Sequence, residues 1–365
     1  MRVVTILGTR PEIIRLSLIL QKLDTLASEH VLVHTGQNFS PALSDIFFQE
    51  LGLRQPDYLL SGSRQTLGGQ LSIMFGEVER ILLTHKPDVV LLLGDTNSAL
   101  CAIIAERMGI PVAHMEAGNR CFDLSVPEEK NRRIIDAVSS INMPYTAYSK
   151  NNLLREGFPS NRIILTGNPI HEVITHYKSH IDSSDVLGRL GLEPGRYMIV
   201  TAHRAENVDD PERLTGILDG LNRLARRFDV RMICSVHPRT RSRIESGSVQ
   251  VEMDSRVEFY EPFGFFDFVK LEQHAVCAIT DSGTVQEECC LFGVPTVTIR
   301  QTTERPETID CGSNVVCGLK AQRIEEAAAV MMAVPAHWKC PDGYLDTNVS
   351  DKVVKFVLGG KWDVY

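Results

Sequence analysis

The feature that most constrains the fold is an alternation of short β-branched runs with amphipathic stretches along nearly the whole chain. Strands that alternate with helices in this way are typical of parallel sheets covered by helices. The first half has strand candidates at 3–7, 30–35, 88–94, 112–116 and 162–167, and the second half at 197–203, 231–237, 276–280 and 295–299. The sequence therefore predicts an α/β protein with two doubly wound, Rossmann-like domains.

A polar stretch at about 169–195, which has little apolar periodicity, indicates a connection between the two halves. We predict an N-terminal domain over residues 1–170 and a second domain over residues 171–348. Ligands of open parallel sheets bind beyond the carboxyl ends of the strands. We therefore expect the two domains to face each other across a cleft, with the functional residues just after the strands.

Composition excludes several classes of function. The net charge is −8 and no Lys/Arg-rich run interrupts the acidic balance, so we expect no nucleic-acid partner. No apolar run approaches the roughly 18 residues of a membrane helix, and Met1 and Arg2 lead directly into a strand, which predicts a cytoplasmic protein without membrane association. The nine cysteines contain no Cys-x-x-Cys pair, and we interpret them as reduced core residues.

Polar side chains follow six of the predicted strands. They are Arg10, Asp95, Glu116, His203, His237 and the run Asp281-Ser282-Gly283-Thr284. One polar residue after a strand is usually a helix cap or a turn. Six such positions, drawn from two domains, predict a functional cleft.

Two of these turns suit a phosphate. Ser282, Gly283 and Thr284 open a helix, so small residues allow a ligand to approach backbone N–H groups at a positive helix end. The alternative is a plain N-cap completed by a capping box. In the other domain Pro11 begins a helix and leaves Arg10 at the N-terminal end of that helix, where a guanidinium can bind two phosphate oxygens. Together the turns predict a diphosphate ligand.

Glu288 lies one helical turn beyond Thr284 and can accept hydrogen bonds from ribose hydroxyls; the alternative is a solvated helix carboxylate. The chain has no Gly-x-Gly fingerprint, no P-loop lysine motif and no zinc-ligand spacing. We therefore expect no cofactor and no metal, and we assign the chemistry to side chains.

Seven motifs in order carry a family resemblance. They are GTRPE (8–12), LLLGDTNSAL (91–100), HMEAGNR (114–120), VPEEKNRR (126–133), TAHRAEN (201–207), TDSGTVQEE (280–288) and TTERPE (302–307). Across residues 3–318 the chain resembles the non-hydrolysing UDP-N-acetylglucosamine 2-epimerase family. The resemblance implies the GT-B arrangement of two Rossmann-like domains, a UDP-sugar substrate bound by the second domain, a homodimer, and a C-terminal helix (349–365) packed on the first domain.

The family reaction inverts C2 of the sugar by eliminating UDP to a 2-acetamidoglucal and adding it back. Carried over by motif, Asp95, Glu116 and Glu128 are acid/base candidates, and which of them takes the C2 proton stays open. His203 is the candidate that assists departure of the diphosphate. The candidates for substrate or UDP contacts are Arg10, Arg132, His237, Phe268, Ser282, Gly283, Thr284, Glu288 and Arg305. Phe268 matches the uracil contact, with a core aromatic as the alternative.

Departures from the usual pattern leave the exact activity open. Asn38 and Phe39 replace the His-Arg of an effector site in many bacterial members, and Arg15 replaces a common lysine. The stretch 121–146 resembles a sub-branch that epimerises modified sugar nucleotides of the UDP-N-acetylfucosamine or diacetamido uronic acid pathways. The residues are also compatible with a hydrolysing 2-epimerase, a GT-B glycosyltransferase or an inactive binding module.

Overall fold

The computed structural model describes residues 1–36, 41–60, 66–236, 238–245 and 249–362, and the chain divides into two compact units. The first unit comprises Met1–His176 and Asp342–Tyr365, and the second comprises Tyr177–Pro341. The contacts thus divide the chain after His176 and after Pro341, whereas the sequence predicts divisions after residues 170 and 348.

The first unit is built on a six-stranded sheet with the order β3-β2-β1-β4-β5-β6, and every pairing is parallel. The strands are β1 (Arg2–Leu7), β2 (Glu29–His34), β3 (Tyr58–Leu59), β4 (Val89–Leu93), β5 (Val112–Met115) and β6 (Ile141–Met143). The strand order reverses between β1 and β4, which is where ligands bind in sheets of this type. All five residues of β4 are buried, as expected for a strand covered on both faces.

In the described part of the chain, seven helices accompany this sheet before the second unit begins. They are α1 (Arg10–Leu26), α2 (Pro41–Glu50), α3 (Leu67–His85), α4 (Ala102–Arg107), α5 (Pro127–Val138), α6 (Ala147–Arg155) and α7 (Ile170–His176).

The second unit repeats the architecture with a parallel sheet of order β12-β11-β10-β7-β8-β9. Its strands are β7 (Tyr197–Thr201), β8 (Arg231–Ser235), β9 (Val257–Tyr260), β10 (Cys277–Thr280), β11 (Thr296–Thr298) and β12 (Asn314–Val316). Its helices are α8 (Lys178–Ser183), α9 (Val186–Leu190), α10 (Ala205–Val208), α11 (Pro211–Phe228), α12 (Pro238–Glu245), α13 (Phe265–His274), α14 (Gly283–Phe292), α15 (Pro306–Asp310) and α16 (Ala321–Ala333). When β7 is numbered as strand 1 and the sheet is read from β9, the order is 3-2-1-4-5-6, the same as in the first sheet.

The last helix, α17 (Val349–Gly359), belongs to the first unit. Lys22 of α1 donates to Ser350 Oγ at 2.7 Å and to Asp351 Oδ1 at 2.5 Å. Glu172 of α7 accepts from the Ser350 backbone N–H at 2.8 Å. These bonds fix the first turn of α17 against α1 and α7. Within the described part of the chain, no helix combines the length and apolar character needed to cross a membrane.

The structure corrects two sequence predictions. The run 162–167 is not a strand: only Ile163 forms an isolated bridge, to Asn142, and the sheet edge is instead the short strand β6. A three-residue strand carrying a buried Asn gives no apolar run to recognise. The predicted connection at 169–195 contains α7, α8 and α9, whose few buried positions are not enough to show a helical period.

Candidate active site

The turn after β1 is held by Glu12 at the start of α1. The Glu12 carboxylate accepts from the backbone N–H of Gly8 at 2.7 Å and of Thr9 at 2.7 Å, and from Thr9 Oγ1 at 3.0 Å. These bonds satisfy N–H groups that a helix start leaves without intrahelical partners. Arg10 is the first residue of α1, and its guanidinium carbon lies 5.8 Å from the ring centroid of Phe47. The bonds of Glu12 therefore fix the backbone on which Arg10 is presented.

Glu12 also joins this turn to the one after β4. Thr96 Oγ1 donates to Glu12 Oε1 at 2.7 Å, and the Glu12 side chain is only 2% exposed. Burial raises the pKa of Glu12 to about 7, although the bonds from Thr96, Gly8 and Thr9 oppose the shift. A buried carboxyl thus ties the Arg10 turn to the residue that follows Asp95.

Asp95 is bound to Arg132 of α5. Nε and Nη2 of Arg132 lie 2.7 Å and 2.6 Å from Asp95 Oδ2, and Nη1 of the same guanidinium lies 3.2 Å from Glu129 Oε2. Glu129 is fully buried and also accepts from the backbone N–H of Cys121 at 2.9 Å. Two of the predicted residues, Asp95 and Arg132, are therefore brought together, and a second carboxylate, Glu129, which sequence reasoning missed, orients the arginine.

Glu116 follows the neighbouring strand β5 in a strained conformation. Its φ is +64°, the left-handed region that non-glycine residues rarely adopt and that costs about 1–3 kcal/mol. Its carboxylate accepts from Arg15 Nη1 at 2.9 Å and from Asn119 Nδ2 at 3.3 Å. Arg15 is 1% exposed, whereas the Glu116 side chain is 12% exposed. A strained residue that keeps part of its carboxylate accessible fits a functional role.

Glu128, the third predicted carboxylate, lies half-buried in the first turn of α5. This helix end is attached to the turn after β4, because Asn131 Nδ2 donates to the Asp95 carbonyl oxygen at 2.9 Å. Asp95, Glu116 and Glu128 thus lie on elements that meet at the carboxyl ends of β4 and β5.

A buried ionic network lies behind these carboxylates. His114 Nδ1 lies 2.9 Å from Asp136 Oδ1, His114 Nε2 lies 2.8 Å from the Gly94 carbonyl oxygen, and Arg120 Nη1 lies 2.7 Å from Asp136 Oδ2. Burial alone lowers the pKa of His114, but the hydrogen bond and charge of Asp136 outweigh it and raise the pKa overall. Both ring nitrogens of His114 face oxygen atoms, and through Nε2 the ring contacts Gly94, the residue before Asp95.

In the second unit, buried Asp281 positions the turn after β7. Its carboxylate accepts from the backbone N–H of His203 at 3.1 Å and of Arg204 at 3.0 Å, and from Asn207 Nδ2 at 3.0 Å. His203 Nδ1 lies 3.4 Å from Asp281 Oδ1, and the His203 side chain is 45% exposed. The imidazole is therefore anchored at one nitrogen and accessible to a ligand.

Ser282 precedes α14 but makes no side-chain capping bond, so the alternative of a plain capping box is wrong. Instead Gln286 donates to the Ser282 carbonyl oxygen at 3.1 Å. A Cβ added at Gly283 would lie 3.0 Å from Glu304 Oε1, so glycine gives this helix start a close approach to its neighbours. Thr284 follows, half-buried, in the first turn. The start of α14 keeps the open, small-residue character expected of a phosphate site.

The remaining charged candidates of the second unit are buried. Arg305 forms an ion pair with Glu287 of α14. Glu288 is 3% exposed, so the alternative of a solvated helix carboxylate is wrong. It faces Glu272 of α13, whose pKa is raised well above its usual range by burial and by the Glu288 charge. Contact of either residue with UDP stays a prediction.

The family is decided by a sequence comparison. The family model described as UDP-N-acetylglucosamine 2-epimerase matches residues 21–358, which is most of the chain. The chain belongs to the UDP-N-acetylglucosamine 2-epimerase family.

Members of this 2-epimerase family are similar to the chain over its whole length. The UDP-N-acetylglucosamine 2-epimerase of Methanocaldococcus jannaschii is 38% identical over 99% of this chain and 100% of the relative. A crystal structure of the enzyme from that organism, in complex with UDP-GlcNAc and UDP, is 38% identical, covers 99% of this chain and 100% of the other, and has a TM-score of 0.93. The UDP-2,3-diacetamido-2,3-dideoxy-D-glucuronate 2-epimerase of Pseudomonas aeruginosa is 37% identical over 90% of this chain and 91% of the relative.

The 2-epimerase fold is shared more widely. A glycosyltransferase of lipopolysaccharide biosynthesis is 11% identical over 99% of this chain and 100% of the other, with a TM-score of 0.62, a likeness that concerns the fold alone. The predicted fold class, an α/β protein with two Rossmann-like domains of the GT-B type, is confirmed.

The last two predicted contacts are Phe268 and His237. Phe268 on α13 is half-buried and packs as a core aromatic against the apolar cluster around α9, β7 and β10. Its contact with uracil stays a prediction. His237 lies outside the described residues. No group of three or more His, Cys, Asp or Glu residues in the described ranges is arranged to hold a metal ion.

Sequence reasoning gave no positioning role to four buried residues of the candidate site, Glu12, Glu129, Asp136 and Asp281, although Asp281 was among the polar residues noted after strands. Only Glu12 has a local signal, because Thr9-x-x-Glu12 is the pattern of a capping box. The partners of the other three include residues at least eight positions away in sequence, as Cys121 is from Glu129. Nothing in the sequence marks such a contact.

Proposed function

We propose that the protein is a non-hydrolysing UDP-N-acetylglucosamine 2-epimerase that interconverts UDP-N-acetylglucosamine and its C2 epimer. One observation carries the proposal: Asp95 and Glu116, which follow neighbouring strands, are each oriented by a buried arginine, Arg132 and Arg15. An inversion of a C–H centre needs proton-transfer groups for two faces of the sugar ring. Two oriented carboxylates, with Glu128 on the adjoining helix end, provide such groups.

The reaction proceeds by elimination and addition. A carboxylate removes the C2 proton, the C2–H electron pair forms the C1–C2 double bond, and the C1–O bond breaks with its electrons leaving on UDP. The product of this step is 2-acetamidoglucal. UDP then adds back at C1 while C2 takes a proton on its other face, so atoms and charge balance without an external oxidant or reductant.

The second unit supplies groups suited to UDP. The half-exposed imidazole of His203, anchored on Asp281, can donate a proton or a hydrogen bond to the departing diphosphate. The N-terminus of α14 at Ser282, Gly283 and Thr284 offers backbone N–H groups to phosphate oxygens. The relatives that carry UDP-GlcNAc in their structures support this choice of ligand.

The test is incubation of the enzyme with UDP-N-acetylglucosamine in D2O, without added nucleotide cofactor or metal, followed by proton NMR of the C2 position. We expect deuterium at C2 in both epimers and UDP-linked product. Full retention of hydrogen at C2 would overturn the elimination mechanism. Asp95→Asn and Glu116→Gln should abolish the exchange, whereas Glu79→Gln, which changes an exposed carboxylate on α3, should leave it intact.

The same experiment separates the competing activities. A hydrolysing 2-epimerase would release free N-acetylmannosamine and UDP, and a glycosyltransferase would incorporate no deuterium at C2. Substituting UDP-2,3-diacetamido-2,3-dideoxy-D-glucuronate, the sugar nucleotide named for the Pseudomonas aeruginosa relative, tests whether a modified sugar is the substrate. Faster exchange with that substrate than with UDP-N-acetylglucosamine would reassign the substrate.

We further propose that the enzyme works as a homodimer in the cytoplasm, a proposal that rests on the family resemblance. Light scattering at micromolar concentration tests the dimer, and a monomer mass at full activity would refute it.

A further inference from the structure

Three cysteine sulfurs of the second unit converge beside α14. Cys290 Sγ lies 3.8 Å from Cys311 Sγ, and Cys340 Sγ lies 3.6 Å from the Cys290 carbonyl oxygen. Trp338 Nε1 donates to that same carbonyl oxygen at 3.0 Å. Residues from the end of α15 and from the segment after α16 therefore meet at Cys290 of α14, one at its thiol and two at its carbonyl oxygen.

The three thiols are not equivalent. Cys290 is 1% exposed, whereas Cys311 and Cys340 are half-buried. The interpretation of all nine cysteines as core residues is not met by Cys311 and Cys340, which are half-buried outside helices and strands. Half-buried Cys317 packs against the apolar cluster of the second unit. Cys101, Cys234 and Cys277 are buried, as that interpretation requires.

Hydrogen bonding separates the reactivities of the pair. The Cys290 and Cys311 thiols are in hydrogen-bond contact, and either sulfur can be the donor. This contact and the one with Ser313 lower the pKa of Cys311 despite partial burial. The same bond and burial raise the pKa of Cys290. By contrast, burial raises the pKa of half-buried Cys317 to about 12. The thiolate is the reactive form of cysteine, so Cys311 is an accessible nucleophile with a second thiol in contact.

The pair lies at the join between two segments that carry predicted UDP contacts. Cys290 is two residues beyond Glu288 on α14, and Cys311 is six residues beyond Arg305. The segments are already joined by the Arg305–Glu287 ion pair and by Gln286 Oε1, which accepts from Thr303 Oγ1 at 2.7 Å. A bond between the sulfurs would therefore act on the packing that orients these contacts.

We propose that Cys311 and Cys290 form a reversible disulfide on exposure to a hydroperoxide, and that this disulfide weakens UDP binding. The Cys311 thiolate attacks the peroxide, the O–O bond breaks, and the products are a sulfenic acid and, after protonation, water. The Cys290 thiol then attacks the sulfenic sulfur, forms the S–S bond and releases a second water. Two thiols are oxidised and one hydrogen peroxide is reduced, and an added dithiol reverses the change.

The expected structural effect is a shift of α14 relative to α15. A disulfide bond is about 2.0 Å long, whereas the two sulfurs lie 3.8 Å apart in the thiol state. Bringing the two sulfurs into bonding distance requires either a movement of the two segments or a change in the side-chain rotamers of Cys290 and Cys311. Because a close-packed interior transmits strain, we expect the movement to displace the ion pair between Arg305 and Glu287 as well.

The test treats the whole enzyme with one equivalent of hydrogen peroxide and maps disulfides by mass spectrometry of digested protein. We expect a 290–311 linked peptide that disappears with dithiothreitol. Cys317→Ser, the matched control, should form it at the wild-type rate, and Cys311→Ser should not form it. In Cys290→Ser the sulfenic acid has no partner thiol at position 290, so a 1,3-dicarbonyl probe should label it at Cys311. This labelling tests the first step of the oxidation without requiring the disulfide. Linkage of Cys340 in place of either partner, or no linkage, would overturn the assignment.

The functional part, which rests on the proposed function, is measured as UDP affinity by calorimetry on reduced and oxidised enzyme. We expect at least about threefold weaker binding after oxidation and recovery after reduction. Unchanged affinity in a fully linked sample would overturn the effect on binding. Absence of UDP binding by the reduced enzyme would instead contradict the proposed function, while the peptide map would still decide the disulfide.

Discussion

The buried carboxyl of Glu12 should make the stability of the protein depend on pH in an unusual direction. Burial raises its pKa from 4.5 to about 7 in the folded chain. Between these two values the folded state binds more protons than the unfolded state, so the free energy of unfolding falls as the pH rises. The stabilisation is fully present below the unfolded pKa and is lost as the pH passes through the folded pKa. Most structural carboxylates act in the opposite direction.

The magnitude follows from the size of the shift. Each pKa unit corresponds to about 1.4 kcal/mol, so the contribution of Glu12 changes by roughly 3 kcal/mol between about pH 4.5 and pH 8. Glu12→Gln removes the titrating group and keeps an oxygen that can accept from the Gly8 and Thr9 backbone. The variant therefore lacks this pH-dependent contribution, whatever its stability at a single pH.

The assay is urea unfolding of wild type and Glu12→Gln at a series of pH values from about 4.5 to 8. We expect the difference in unfolding free energy, wild type minus variant, to fall by roughly 3 kcal/mol across the series. Glu79→Gln, an exposed carboxylate, should show no such trend. A difference for Glu12→Gln that stays constant or rises with pH would refute the reasoning, because it would mean that the four donors around Glu12 offset or outweigh its burial.

Further predictions concern other parts of the site. Arg10→Ala should lose roughly 2–4 kcal/mol of transition-state stabilisation, measured as kcat/KM, and wild-type turnover would contradict a phosphate contact. Asp136→Asn should destabilise the fold by about 3–5 kcal/mol in thermal or urea unfolding, because it removes the buried carboxylate that pairs with both His114 and Arg120 and leaves Arg120 with Glu156 alone; an unchanged midpoint would contradict the ionic network. Asn38 and Phe39, which lie outside the described residues, predict weak effector binding: rate curves should be hyperbolic, and a sigmoidal curve would show a working effector site.

The alternation of strands and helices was sufficient to predict the fold class, because the spacing of apolar residues along the sequence shows a period of two for strands and 3.6 for helices. The same reasoning failed for short elements. β3, β6, β9 and β12 have two to four residues each and were not predicted, and the apolar run at 162–167 was a better strand by pattern than β6. A short strand is fixed by its neighbours in the sheet, as Asn142 is by His114 of β5.

The sequence by itself determined the order of the motifs and the positions of Arg10, Asp95, Glu116 and His203 directly after strands. Only the tertiary structure decided how charges pair. Asp95 is bound to Arg132 and Glu116 to Arg15, pairings between residues 37 and 101 positions apart. A local pattern records which side chains a helix or strand carries, whereas an ion pair depends on which strands become neighbours. That neighbourhood is set by the packing of the whole sheet.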